Sequence, residues 1–209
     1  LLGGWLATQL GWRATMAVLA IVGVAGWLLV WLRFRESVQQ CNPQALQPRL
    51  LLRNWSHILR HRTFQAYTAT TTCSYGGLVV FLTASPFVFI QVLGWSPADV
   101  GWLLAANGVV YIGGTMLCRQ LLPRWGVQRT VAIAGALALL CAVLLLALAA
   151  ADVRTGWAYA AVCMLYPAAH GIQQPCGQSG AVSAFPSMAG TASALNGCIM
   201  MLLAFATGQ

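Results

Sequence analysis

Five apolar runs dominate this chain, each of about 18 or more residues and so long enough to cross about 30 Å of hydrocarbon. They extend from Ala14 to Leu32, Ala66 to Val92, Ala98 to Leu122, Thr130 to Ala150 and Gly156 to Gln178. Shorter apolar pieces, "LLGGWLATQL" and "AGTASALNGCIMMLLAFATGQ", lie at the two ends. With Leu1 where a start methionine would stand, the expectation is a fragment cut inside a helix at each end. Of the 209 residues 59% are hydrophobic and 7% charged, where a soluble domain carries about a quarter charged residues. So few charges cannot cover a water-facing surface, which makes lipid the main solvent and the bilayer the first partner. No run alternates apolar and polar residues over about ten positions, as a membrane barrel strand must. The expected fold class is therefore an all-α polytopic membrane protein. A secretory signal is set aside as well, because its positive segment precedes its apolar core, whereas Arg13 follows the uncharged "LLGGWLATQLGW".

The charges fit alternating crossings. Between the first two runs lie Arg33, Arg35, Arg49, Arg53, Arg60 and Arg62 against one acid, Glu36, and by the positive-inside rule this segment is cytoplasmic. The next connection, "LGWSPAD", has Asp99 and no base, so it faces out. "RQLLPRWGVQRT" brings Arg119, Arg124 and Arg129 and faces in, and "ADVRTG", balanced between Asp152 and Arg154, faces out. Nucleic-acid binders carry their basic residues on a soluble face, often as lysine; this chain has no lysine, and topology accounts for its +8 formal charge. No nucleic-acid partner is expected. Trp95 and Trp157 are placed for the outer interface and Trp125 for the inner one.

Within the long cytoplasmic segment, Leu52, Trp55, Ile58 and Leu59 alternate with Arg53, Arg60 and Arg62 at helical spacing. That pattern suits an amphipathic helix on the anionic inner leaflet and equally a solvated linker helix. Cys41 lies in the same segment, and Cys73, Cys118, Cys141, Cys163, Cys176 and Cys198 fall in apolar runs with no CxxC and no histidine pair at ligand spacing. Most read as small buried thiols, not as a metal site or a disulfide framework. Hydrolase, metalloprotease and nucleotide-binding motifs are absent, as are paired carboxylates, so no catalytic residue and no enzyme activity are expected.

Polar stripes mark the candidate site. Asn107, Tyr111, Thr115 and Cys118 share one helical face beside a small-residue stripe of Gly101, Ala105 and Gly108. Cys163, Tyr166, His170, Gln173 and Gln174 are expected to share another, on a helix interrupted by Pro167 and Pro175. A broken, polar-faced helix lines either a cavity or a packed contact, and the spacing leaves both open. Thr68, Thr71, Thr72 and Tyr75 form a third face; beyond them Pro86 frees the carbonyl of Leu82 beside Phe81, Phe87 and Phe89, aromatics that suit a flat apolar ligand or helix packing. The substrate-cavity candidates are Tyr75, Phe87, Asn107, Tyr111, Tyr166, His170, Gln173 and Gln174.

"FLTASPFVFIQVLGWSPADVGWLLAANGVVYIGG" closely resembles the seventh and eighth helices of the Bcr/CflA group of drug resistance transporters in the major facilitator superfamily. "FPSMAGTASALNG" is similar to the start of that group's eleventh helix, "GWRATMAVLAIVG" to its sixth, and "LLGGWL" to the tail of the antiporter signature closing its fifth. The resemblance divides the chain into residues 1–32, the end of the N-terminal six-helix half; 33–63, the central linker; and 64–209, a C-terminal half lacking its twelfth helix. Arg119, Arg124, Gly126 and Arg129 occupy a degenerate cytoplasmic loop motif whose aspartate is missing here. The resemblance implies a twelve-helix proton antiporter of the bacterial inner membrane, monomeric when whole, that exports amphipathic drugs by alternating access. It implies no bound cofactor; the proton gradient is the energy source, and the proton-carrying acid belongs to the missing half. A nutrient or metabolite transporter of the same superfamily, and a non-transporting receptor or enzyme subunit built on similar helices, are the alternatives.

Overall fold

A computed structural model describes residues 10–34 and 47–208, in two compact units divided after Gln47. The start of the fifth-helix resemblance (1–9) and the part of the linker with Arg35, Glu36 and Cys41 lie outside the described residues. In the first unit α1, Trp12–Arg33, has 22 residues and no buried side chain within the chain. At about 1.5 Å per residue it is about 33 Å long, a full crossing. Trp27 and Trp31 stack on its surface with centroids 6.2 Å apart, and Arg33 closes its last turn.

The second unit is a helical bundle without strands among the described residues. It comprises α2, Pro48–Leu59; α3, Arg62–Pro86, extended by a wide π turn over Phe87–Val92; and a continuous helical stretch Pro97–Ala150. Then follow α6, Gly156–Cys163; α7, Leu165–Ser183; and α8, Ala189–Thr207. A straight helix of 54 residues would reach about 80 Å, more than twice the hydrocarbon thickness. Gly126, with φ 72° and ψ 171°, turns the chain back in a conformation open essentially to glycine alone. The stretch is thus two crossings, α4 (97–125) and α5 (127–150), joined inside the arginine-rich segment read as an inner loop. At its other end "SPAD" is a capping box: the Asp99 amide donates to Ser96 Oγ, and the Asp99 carboxylate accepts from the Ser96 amide at 3.3 Å. Pro97 occupies the first turn, where its missing N–H costs nothing.

Among the described residues four helices are long and apolar enough to cross a membrane: Trp12–Arg33, Arg62–Val92, Pro97–Ala150 and Pro186–Thr207. The last was expected only as a partial span. The expected fifth run, Gly156 to Gln178, does not meet that measure, and its boundaries also differ. Its hydrogen-bond ladder is interrupted at Met164, and α7 continues to Ser183. Pro167 has no N–H to offer the Cys163 carbonyl, so the ladder fails one turn before it. Pro175, expected to interrupt the helix too, lies within an unbroken α7. This helix is polar because it is interior: α3, the Pro97–Ala150 stretch and α8 all pack on it, so it meets protein where the others meet lipid.

Glycines set the two principal crossings. Where α4 meets α7, a methyl on Gly114 would overlap the Ala168 carbonyl, and one on Gly171 the Tyr111 carbonyl. Where α3 meets α7, Gly177 and Gly180 lie directly against Thr71 and the Tyr67 ring. In lipid, where burial of apolar surface does not drive helices together, such close backbone approach is a main source of packing energy. Of the four apolar residues that mark the face of α2, one turns into the bundle while Leu52, Trp55 and Leu59 stay exposed. Ile58 is fully buried with Phe64, Ala181, Phe185 and Ala192, and His57 and His61 stand edge-on to Phe185. The helix is fixed to the ends of α3, α7 and α8, with Leu52 on its exposed side.

Candidate functional site

A cavity of about 610 Å³ opens between α3, α4 and α7, within the size range of small-molecule sites. Each helix contributes one face: Leu78 and Leu82 follow Tyr75 on α3, Thr115 follows Asn107 and Tyr111 on α4, and Gln174 and Gln178 follow His170 on α7. These are steps of three and four residues, which align side chains on a helix. Pro167 and Pro175 complete the α7 wall.

His170 is its most constrained member. Its Nδ1 lies 2.7 Å from Ser74 Oγ of α3, leaving Nε2 as the ring nitrogen available to a ligand. Tyr111 and Tyr75 flank the imidazole with centroids at 5.5 and 6.4 Å. Behind it Tyr166 stacks almost parallel at 6.5 Å, and the Tyr166 hydroxyl donates to the Ser74 carbonyl at 2.6 Å. Ser74 is thus bonded through both side chain and backbone to α7. Tyr166 can lie so close only because position 77 is glycine; a methyl there would overlap its hydroxyl.

The amides differ in how far they are satisfied. Asn107 Nδ2 donates to its own helix at the Leu103 carbonyl, 2.8 Å away. Gln174 Nε2 reaches Met200 Sδ of α8 at 3.3 Å, while its Oε1 is buried with no partner among the described residues. Deeper in the bundle the Thr71 hydroxyl donates to Asn196 Oδ1 at 3.0 Å. Among the described residues no Asp, Glu or Arg lines the cavity. Its chemistry is that of uncharged donors, acceptors and aromatic faces on an apolar wall.

Five of the eight sequence candidates come together here: Tyr75, Asn107, Tyr111, His170 and Gln174. Three do not. Phe87 is 58% exposed on the π turn. Tyr166 backs His170 from a separate cavity. Gln173, one residue and so about 100° around the helix from Gln174, is buried on the side of Gly135 in α5. The sequence reading missed Gln178, Leu78, Leu82 and Leu104, although all continue the i, i+3, i+4 spacing of the recognised stripes. It missed Ser74 too, whose role depends on a partner 96 positions away. Arg119, Arg124 and Arg129 are all exposed around the Gly126 turn; the one ion pair among the described residues is Arg154 with Asp152 at 3.3 Å.

Of the cysteines, Cys118, Cys141, Cys163 and Cys176 are buried as expected, while Cys73 and Cys198 are exposed. Cys118 of α4 and Cys176 of α7 bring their sulfurs within 3.3 Å.

Fold and cavity together define a multi-pass helical membrane protein with a polar wall buried in its bundle. Residues 1–208 match the family model of the Major Facilitator Superfamily, and the chain belongs to that family, a family of transporters and not of enzymes. It is 25% identical over 199 residues to the "Bicyclomycin resistance protein homolog" of Haemophilus influenzae, an alignment covering 95% of this chain and 50% of that protein. This bears out the Bcr/CflA-type resemblance. It is 27% identical over 108 residues to the "Uncharacterized MFS-type transporter YdgK" of Bacillus subtilis, covering 51% of this chain and 26% of that one. The chain therefore spans about half the length of the first relative and a quarter of the second. No solved structure matches it.

Proposed function

We propose that this chain carries the C-terminal substrate wall of a proton-driven multidrug exporter of the bacterial inner membrane. The observation that supports it most directly is the uncharged cavity around His170, in a chain related along nearly its whole length to a protein named for drug resistance. Tyr75, Tyr111 and His170 offer ring faces to a flat apolar portion of a drug, and His170 Nε2, Asn107 and Gln174 offer the few directional hydrogen bonds that orient it. A ligand donor meeting the unpaired Gln174 Oε1 would relieve a buried polar atom, which favours polar yet membrane-soluble molecules.

Alternating access supplies release: the α3–α4–α7 wall moves against the other half of the transporter, so the cavity opens to one side at a time. The driving proton is carried by an acid elsewhere in the complete protein, which works as a monomer.

The test is accumulation of a fluorescent drug in cells lacking their own exporters, with and without the complete protein. Lower accumulation that is restored by an uncoupler supports the reading. Unchanged accumulation across chemically diverse drugs, with the protein present in the membrane, rejects it in favour of a nutrient or metabolite transporter of the same superfamily.

A further inference from the structure

A second cavity, of about 430 Å³, lies on a neighbouring face of α3. Tyr75, Leu78 and Leu82 face the first cavity, whereas Gly77, Phe81, Ser85 and Val88 face this one, across from Leu145 on α5 and Tyr159 on α6. Among the described residues no Asp, Glu, Arg or His lines it. Val80 at its edge is 44% exposed, so the cavity is flanked by surface of the kind that meets lipid.

Three observations decide what it suits. The first is length. From Gly77 to Val88 the lining of α3 advances 11 residues (88 − 77), about 16 Å of helix, which is half of the about 30 Å hydrocarbon core and so the depth of one leaflet. The second is level. Arg62 opens α3 and Arg129 stands at the start of α5, while the cavity begins at Gly77 and Ala138 and runs away from both. It lies in the leaflet opposite the arginine-rich ends.

The third is Ser85. It is 4% exposed, it lines the cavity, and its Oγ has no hydrogen-bond partner among the described residues. The nearby Thr83 hydroxyl satisfies itself by donating to the Val79 carbonyl at 2.9 Å, so this part of the helix permits such a bond and Ser85 does not make it. A hydroxyl left unpaired in an apolar cavity is costly unless a ligand atom meets it. Ser85 sits near the end of the lining farthest from the arginines, the level at which a chain entering from that leaflet carries its ester group.

We propose that this cavity binds one acyl chain of a membrane phospholipid, with the Ser85 hydroxyl donating to its ester carbonyl. The chain fills the apolar space between α3, α5 and α6, and the bond fixes its depth. Bound lipid then completes the packing around α3, the helix that also carries Tyr75 and Ser74.

The test uses the whole protein in nanodiscs with a phospholipid bearing a photoactivatable diazirine on its acyl chain. After irradiation, adducts are mapped by residue and compared with Trp102 and Val109, which are 65% and 70% exposed and report general lipid contact. Adducts at Phe81, Leu145 and Tyr159 are expected to exceed those controls. Ala142→Phe, which fills the cavity, should lower them severalfold, and the nearly isosteric Ser85→Ala by about threefold to tenfold. Labelling no higher than at the controls, or indifferent to both variants in folded protein, overturns the site. So does an adduct-free cavity that instead cross-links Ala142→Cys to another segment of the protein. The readout is lipid, so a failure to export drugs would leave this result standing.

Discussion

The hydroxyl of Ser74 and Nδ1 of His170 meet at 2.7 Å across the α3–α7 contact, and the histidine they fix forms part of the wall of the larger cavity. A ring held by one nitrogen offers the other in a set direction, so one bond joins helix packing to ligand geometry. Ser74→Ala should release the ring. We expect a loss of about 1 to 3 kcal/mol in stability, because His170 keeps a buried nitrogen with no partner. Transport by the complete protein should fall further than the remaining folded fraction explains. A thermal melt in detergent beside a drug-efflux assay separates the two effects; equal losses would make Ser74 purely structural.

Gln174 and Gln173 provide an internal control. Gln174 lines the cavity with an unpaired Oε1, whereas Gln173 points toward α5. Gln174→Leu is expected to reorder drug preferences at near-normal protein levels. Gln173→Leu should alter abundance or melting without changing preference. A shift in preference with Gln173→Leu would displace the cavity from where the geometry puts it.

Gly171 and Gly114 should tolerate no side chain. Because the atoms a methyl would strike are backbone carbonyls of the facing helix, neither can yield without moving α4 from α7. Gly171→Ala is expected to cost about 1 to 3 kcal/mol through forced separation, read as a lower melting temperature. Gly101→Ala, with open space around its position, should be close to neutral.

Gly126→Ala tests the α4–α5 turn. With φ at 72° and ψ at 171°, an alanine incurs about 1 to 3 kcal/mol of backbone strain. The neighbouring Gln128→Ala, at an exposed position in helical geometry, should change little. Comparable melting temperatures for the two variants would argue against the turn.

Cys118 and Cys176 give a distance test of the α4–α7 contact. With sulfurs 3.3 Å apart, a membrane-permeant oxidant should join them, so that fragments cleaved in the Ala151–Thr155 connection stay together until reduced. Cys118→Ser should abolish the link. No link in folded protein would contradict the contact.

The sequence made membrane, helices and crossings legible because lipid demands apolar runs about as long as the bilayer is thick. It was least reliable for α7, where neighbouring helices replace lipid and composition stops reporting on span. The α4 and α7 faces of the cavity were visible as periodic polar residues, whereas on α3 only Tyr75 was. Phe87 misled because it stands about 120° around the helix from Tyr75, on the exposed side of the π turn. Gln173 misled because adjacent residues on a helix point about 100° apart. Ser74 and Ser85 look alike in the sequence; only folding gives one a histidine and leaves the other unpaired.

The polarity of α7 also bears on how the protein is made. Insertion machinery sorts a nascent segment by its affinity for lipid, and polar residues near the middle of a segment weigh against release into the bilayer. Segment 156–183, with His170, Gln173 and Gln174 near its centre, is poorly suited to partition alone. Its preceding neighbours α3 and α4 carry the glycine, serine and tyrosine contacts that accept it. Biogenesis would then be ordered: the earlier crossings remain beside the translocon as a template, and α7 enters the membrane by docking onto protein.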